Sequence, residues 1–363
     1  MKTTIIIGSG NKKKGLFWDA VIFANHVSGK VRLLPYVFAE KHKRFKKLYL
    51  WYKYNYFFLI SFPHIRTISL HSLQKLRQIN SILILEKIPV YLVKPLLEIK
   101  RRYNTKIVFM VNHEMLDKSN LSTIKDQVDI VIVKSEVAKK MVHETYEGMG
   151  IAYLQLPSAI IPNSNRKSEI LQQGEIILFH AAGGGGVLYN GVGRKGTEYL
   201  ISALDKVDTS YKLILLIQKN NYTKHLIELA KHNNNILVVE KHVNDRLYQK
   251  YLESSHLAIY PSKVEGYGLS LIEALSVGVP VVTTDASPMN EIVIDGQNGM
   301  CVSATLDDEE SEYPIYSINV EALRETLINL MNSPTRLKEM GTNAKNHYAM
   351  VVKNFQREVN RVL

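Results

Sequence analysis

Apolar residues in this chain come in short unbroken runs separated by longer helical stretches. The runs at 3–7, 81–85, 106–111 and 130–133 are continuous rather than alternating, the pattern of parallel strands covered on both faces. Between them the pattern predicts helices near 17–27, near 90–102 and from 135 onward. Residues 155–168 are rich in Pro, Ser and Asn and read as a connecting segment. The alternation then restarts, with strands predicted at 175–179, 212–217, 236–240, 256–260 and 279–284. Helices are predicted at 196–206, 222–232, 245–254 and from Gly268 to Gly278, and two more stretches follow Asn319. The fold class this implies is α/β, with two Rossmann-like domains whose parallel sheets face across a cleft. The expected layout is a first domain at 1–160, a linker at 161–172 and a second domain at 173–345; a final helix, 346–363, crosses back to the first.

Length agrees with two domains: 363 residues exceed the roughly 250–300 at which a single core stops growing. One cysteine, Cys301, excludes an internal disulfide and a cysteine-rich metal site. Residues 1–10 read as a first strand and its loop, with Gly8-Ser9-Gly10 a tight turn and a candidate ligand contact, rather than as a signal peptide. No apolar run approaches the roughly 20 residues that span a bilayer, so the expected location is cytoplasmic, with peripheral attachment to the inner face of the membrane as an option. The net charge of +12 is uneven. Residues 1–170 hold 28 Lys/Arg against 12 Asp/Glu, and residues 171–363 hold 18 against 22. An anionic partner is therefore expected for the first half only.

The most informative stretch is 260–282. An apolar strand enters a Pro-Ser turn, then a loop with an acid and two glycines (Glu265-Gly266-Tyr267-Gly268). A helix carrying Glu273 follows, then a β-branched strand. This βαβ unit points bare N–H groups of a helix start at whatever sits above the loop, and an anion bearing hydroxyls suits it.

The run Pro261-Ser-Lys-Val-Glu-Gly-Tyr-Gly-Leu-Ser-Leu-Ile-Glu-Ala274, with Glu265 and Glu273 in E-x7-E spacing, resembles the retaining glycosyltransferase family 4 (glycosyl transferases group 1), whose fold is GT-B. The likeness is close over roughly 175–302 and looser before it. Gly278-Val-Pro-Val-Val282, the segment 290–299, Arg194-Lys195-Gly196, Val111-Asn-His113 and the strand ending at Ser135 resemble further family segments. The resemblance implies a nucleotide-sugar donor, a saccharide or lipid-linked acceptor, surface-polysaccharide or lipopolysaccharide assembly, and no metal or other cofactor. It implies that Glu265 holds donor-sugar hydroxyls, Glu273 the ribose, and His113 the far side of the sugar. Lys195 and Arg194, with the helix starts at 193–196 and Gly266, Tyr267, Gly268 and Leu269, would stabilise the pyrophosphate. A front-face reaction, in which the departing phosphate deprotonates the acceptor, is likewise implied.

One departure stands out. Where the family has an Arg just after the first strand of this domain, this chain reads His180-Ala-Ala-Gly, so Arg194 either substitutes or the role is vacant. Other readings stay open. Glu265, Glu273, Arg194 and Lys195 can be solvated surface charges, and His113 a strand-end structural histidine. The segment from Lys41 to Phe62, clustered Lys/Arg followed by Trp and Tyr, fits docking on an anionic membrane surface or a basic loop leading into a core helix. A nucleic-acid platform has similar residues but lacks a matching face in the second half. Gly191-Val-Gly-Arg-Lys-Gly196 fits a dinucleotide fingerprint in spacing only, lying too far from its strand. Rival functions are a soluble transferase acting on a small molecule or protein, and a non-catalytic nucleotide-sugar or polyanion-binding protein.

Overall fold

A computed structural model of the chain describes residues 2–9, 15–36, 66–67, 78–88, 90–113, 116, 121–159, 175–184, 193–308 and 313–363. Packing divides the chain into two compact units, Met1–Ala159 with Val351–Leu363, and Ile160–Met350. The anticipated linker 161–172, the basic aromatic segment from Lys41 to Phe62 and Gly10 lie outside the described residues.

The first unit holds a parallel sheet of strands β1 (Thr3–Ser9), β2 (Lys30–Tyr36), β3 (Arg66–Thr67), β4 (Ser81–Leu85), β5 (Lys106–Val111), β6 (Ile130–Val133) and β7 (Ile151–Tyr153), in the order β3-β2-β1-β4-β5-β6-β7. Every residue of β4 is buried, which is why its run is apolar after Ser81, whose hydroxyl meets that of Thr4 at 2.9 Å. Helices α1 (Gly15–His26), α2 (Val90–Tyr103), α3 (Leu121–Ile124) and α4 (Glu136–Thr145) join the strands. Ser135 is the N-cap of α4, its side chain accepting from the Ala138 N–H at 3.2 Å. β1 corrects one expectation: Gly8 and Ser9 are not a turn but strand residues, paired with Pro35 and Tyr36.

The second unit holds a parallel sheet of β8 (Ile176–Gly183), β9 (Tyr211–Ile217), β10 (Ile236–Val239), β11 (Leu257–Tyr260), β12 (Val281–Thr284) and β13 (Gly299–Val302), ordered β10-β9-β8-β11-β12-β13. Its helices are α5 (Thr197–Leu204), α6 (Lys224–Lys231), α7 (Asp245–Glu253), α8 (Leu269–Ser276), α9 (Met289–Ile292), α10 (Val320–Met331) and α11 (Pro334–Val362). A separate antiparallel hairpin, β14 (Ala304–Asp308) with β15 (Ile315–Ile318), was not anticipated. β8 also runs four residues past the anticipated end at 179, so His180 is a strand residue rather than part of a glycine loop.

The last residues of α11 belong to the first unit. There Phe355 meets Phe23 edge-on at 5.3 Å, and the Asn360 side chain accepts from the Ser28 N–H at 2.7 Å. No helix among the described residues is long and apolar enough to cross a membrane.

Candidate functional site

Strand order decides where a site forms in the second unit. From β8 the chain adds β9 and β10 on one side, then β11, β12 and β13 on the other, so β8 and β11 flank the topological switch point. In open α/β sheets, ligands bind outside the carboxyl ends of strands at that point. The loops leaving these strands carry Arg194-Lys195-Gly196 and Pro261–Gly268.

Two glycines shape these loops. Gly196 is the N-cap of α5 at φ 62°, and a β-carbon there would lie 1.8 Å from the Pro261 carbonyl oxygen. Gly268 caps α8 at φ 104°. Both conformations suit glycine. Neither helix start is closed by a side-chain cap, so their first N–H groups stay available to an anion.

The loops are stitched together. The Lys263 N–H donates to the Arg194 carbonyl at 2.8 Å, and Arg194 Nε donates to the Val264 carbonyl at 3.3 Å. Glu265, only 5% exposed, receives Lys195 Nζ at 2.6 Å and the Ser262 hydroxyl at 2.7 Å on Oε1; Arg194 Nη2 lies 3.6 Å from Oε2. Burial alone would raise the Glu265 carboxyl. The charges of Lys195 and Arg194, with the hydrogen bonds from Lys195 and Ser262, outweigh it and hold the group below the usual carboxylate range. Glu265 is therefore an anion gripped by two cations, not a solvated surface acid.

Glu273 lies within α8 and accepts from the Tyr248 hydroxyl at 2.8 Å. Tyr248, from α7, stands edge-on to Phe179 of β8. Burial pushes the Glu273 carboxyl up to about 7, against the Tyr248 hydrogen bond and the Lys195 charge. Gly266, Tyr267 and Gly268 form the buried turn between the two acids, and Leu269 opens α8. His180, within β8, is fully buried. Its Nδ1 lies 2.6 Å from the Ile259 carbonyl and its Nε2 2.9 Å from the Thr197 hydroxyl. Burial lowers its pKa to about 4, so the ring is a neutral tie between β8, β11 and the start of α5.

The first unit carries a second polar constellation, also at strand carboxyl ends. His113, buried, follows Asn112 at the end of β5. The Asn112 amide donates to Glu86, the residue after β4, whose φ is 59°. Lys134, the residue after β6, places Nζ 3.0 Å from Asp19 Oδ2 and 3.9 Å from Glu86 Oε1; all three charged residues are under 5% exposed.

Sequence reading missed Tyr248 and the Asp19–Lys134–Glu86 network. Nothing near Tyr248 marks it. Glu86 and Lys134 did leave a trace: each is a charge directly abutting an unbroken apolar strand.

Residues 188–347 match the family model for glycosyl transferases group 1. An uncharacterized glycosyltransferase of Methanocaldococcus jannaschii is 29% identical over 138 residues, covering 38% of each chain. A capsular polysaccharide biosynthesis glycosyltransferase, CapM of Staphylococcus aureus, is 29% identical over 139 residues, covering 37% of this chain and 36% of CapM. These matches thus span little more than a third of the curated relatives' length. Among solved structures, Anabaena HepE in complex with UDP and glucose superposes with a TM-score of 0.66 at 14% identity, over 99% of this chain and 98% of that one. The family match is confined to residues 188–347 of the second unit, and with two parallel Rossmann-like sheets the chain has the GT-B fold.

Proposed function

We propose that this chain is a retaining, metal-independent glycosyltransferase that moves a sugar from a nucleotide-sugar donor to a saccharide or lipid-linked acceptor, in surface-polysaccharide assembly. The observation that carries the donor half is the grip of Lys195, Arg194 and Ser262 on Glu265 at the switch point between β8 and β11. Two cations beside two open helix starts suit a diphosphate whose charge grows as the sugar leaves. Arg194, beside the same carboxylate as Lys195, supplies the guanidinium absent after β8. Glu265, held ionised, accepts hydrogen bonds from sugar hydroxyls, and Glu273 accepts them from the ribose. The bond from the anomeric carbon to the phosphate oxygen breaks, and one to the acceptor oxygen forms on the same face. The acceptor proton passes to the departing phosphate. The polysaccharide setting is favoured by the name of CapM.

Turnover with a panel of UDP-, GDP- and ADP-sugars tests the proposal. One donor class is expected to react, with a loss of about 100-fold in Glu265→Ala. No turnover with any donor would leave the binding-protein reading in its place.

The Glu273 carboxyl adds a pH signature. Its folded pKa, about 7, lies above the ordinary 4.5, so the stability it contributes is present below 4.5 and lost as pH rises through 7. Ligand binding runs the other way, because only the ionised carboxylate accepts both ribose hydrogen bonds. Nucleoside affinity is therefore expected to fall about tenfold between pH 8 and pH 6, and Glu273→Gln to flatten the profile. Calorimetric titration across that range checks it; an equally steep profile in the variant would remove Glu273 from the ribose.

A further inference from the structure

Lys263, two residues before Glu265, ties several parts of the site's framework together. It is 8% exposed. Its N–H reaches the Arg194 carbonyl at 2.8 Å, and its own carbonyl accepts from the Tyr316 N–H of β15 at 2.9 Å. Its Nζ lies 3.2 Å from Glu198 Oε1 and 4.7 Å from the centre of the Tyr199 ring, both in the first turn of α5. The Tyr199 hydroxyl in turn meets the Ser317 hydroxyl of β15 at 2.7 Å. The next residue, Val264, packs on Ile315 of β15 and on Tyr313.

An apolar side chain of similar length would fill this space without desolvating an ammonium. The cation is held instead by a carboxylate and an aromatic face, a pairing that fixes direction as well as distance. Burial works against the charged form, and Tyr199 and Glu198 more than reverse it, keeping the ammonium charged. The anchored segment leads to Glu265 two residues later, and the Arg194 carbonyl it holds belongs to the turn that presents both cations.

We propose that Lys263, braced by the β14–β15 hairpin through Tyr316, Tyr199 and Ser317, is the positioning residue of the donor site: it holds the Arg194–Lys195 turn and the Glu265 loop in the register that receives a diphosphate. The proposal rests on the nucleotide-sugar reading above. It differs from a role in fold stability in one measurable way, since it acts on the diphosphate and leaves the nucleoside end, at Glu273 and Tyr248, as it was.

The experiment titrates the full chain with UDP, GDP and ADP by calorimetry, and with uridine, guanosine and adenosine by ligand-observed NMR. Lys263→Met is expected to weaken the preferred diphosphate about tenfold with its nucleoside within twofold, and Lys263→Arg to recover most of the loss. Tyr199→Phe, which keeps the ring and removes only the hydroxyl, is expected to cost the diphosphate about two- to threefold, and it reads the same effect should Lys263→Met not fold. Wild-type diphosphate affinity in Lys263→Met and Tyr199→Phe, or equal losses of diphosphate and nucleoside, overturns the positioning role alone. A wild-type chain that binds none of the three diphosphates overturns the donor reading as well.

Discussion

Replacing Lys195 with Ala is expected to lower turnover about a thousandfold, with Lys195→Arg recovering part of it. The ammonium lies 2.6 Å from Glu265 Oε1, beside an uncapped helix start and next to Arg194. Two effects add. Charge that stabilises the leaving diphosphate is lost, and Glu265 keeps only Ser262 at 2.7 Å and Arg194 at 3.6 Å. Burial, which already opposes its ionisation, then gains ground, and the carboxyl becomes a poorer acceptor for sugar hydroxyls. Initial-rate kinetics with a melting curve as control separate catalysis from folding. A loss under threefold in a well-folded variant would take Lys195 out of the chemistry.

In the first unit the largest expected effect is on stability: Lys134→Met should cost about 3–5 kcal/mol, because it strands buried carboxylates without their cation. Asp19 is 2% exposed and Glu86 4%, and both face Lys134 Nζ. Adding Asp19→Asn to Lys134→Met should return part of the loss, since one uncompensated charge goes with it. Urea denaturation of the two variants beside the parent chain measures this. Equal stability of parent and Lys134→Met would mean that water reaches the cluster and screens it. The same cluster holds Asn112 through Glu86, so the segment bearing His113 is built on a buried ionic scaffold.

Much of the sheet framework was legible because it depends on local pattern. Largely apolar runs predicted β4, β5 and β6 to the residue, since a strand buried on both faces has few polar positions to spare. The Glu265–Glu273 stretch was legible for a similar reason, since its loop and helix start are contiguous in sequence. Elements with weaker local signals were missed. β7 has three residues, and β14–β15 is a hairpin held by Val264, Tyr199 and the Lys263 carbonyl rather than by its own alternation. The glycines after His180 drew the end of β8 too early, because backbone pairing with β9 carries the strand on to Gly183.

By itself, then, the chain's order of residues determined two α/β sheets, a glycine-opened helix start and the two acids eight residues apart. Tertiary structure alone decided what those acids are. Lys195 and Glu265 are 70 residues apart in sequence, Tyr248 and Glu273 are 25, and Lys134 and Asp19 are 115. Charge interaction and desolvation depend on ångström distances and on the exclusion of water, and neither is written in spacing along the chain. Two glutamates of one motif therefore part ways: Glu265, between two cations, is held ionised, while Glu273, buried against a tyrosine, titrates near 7.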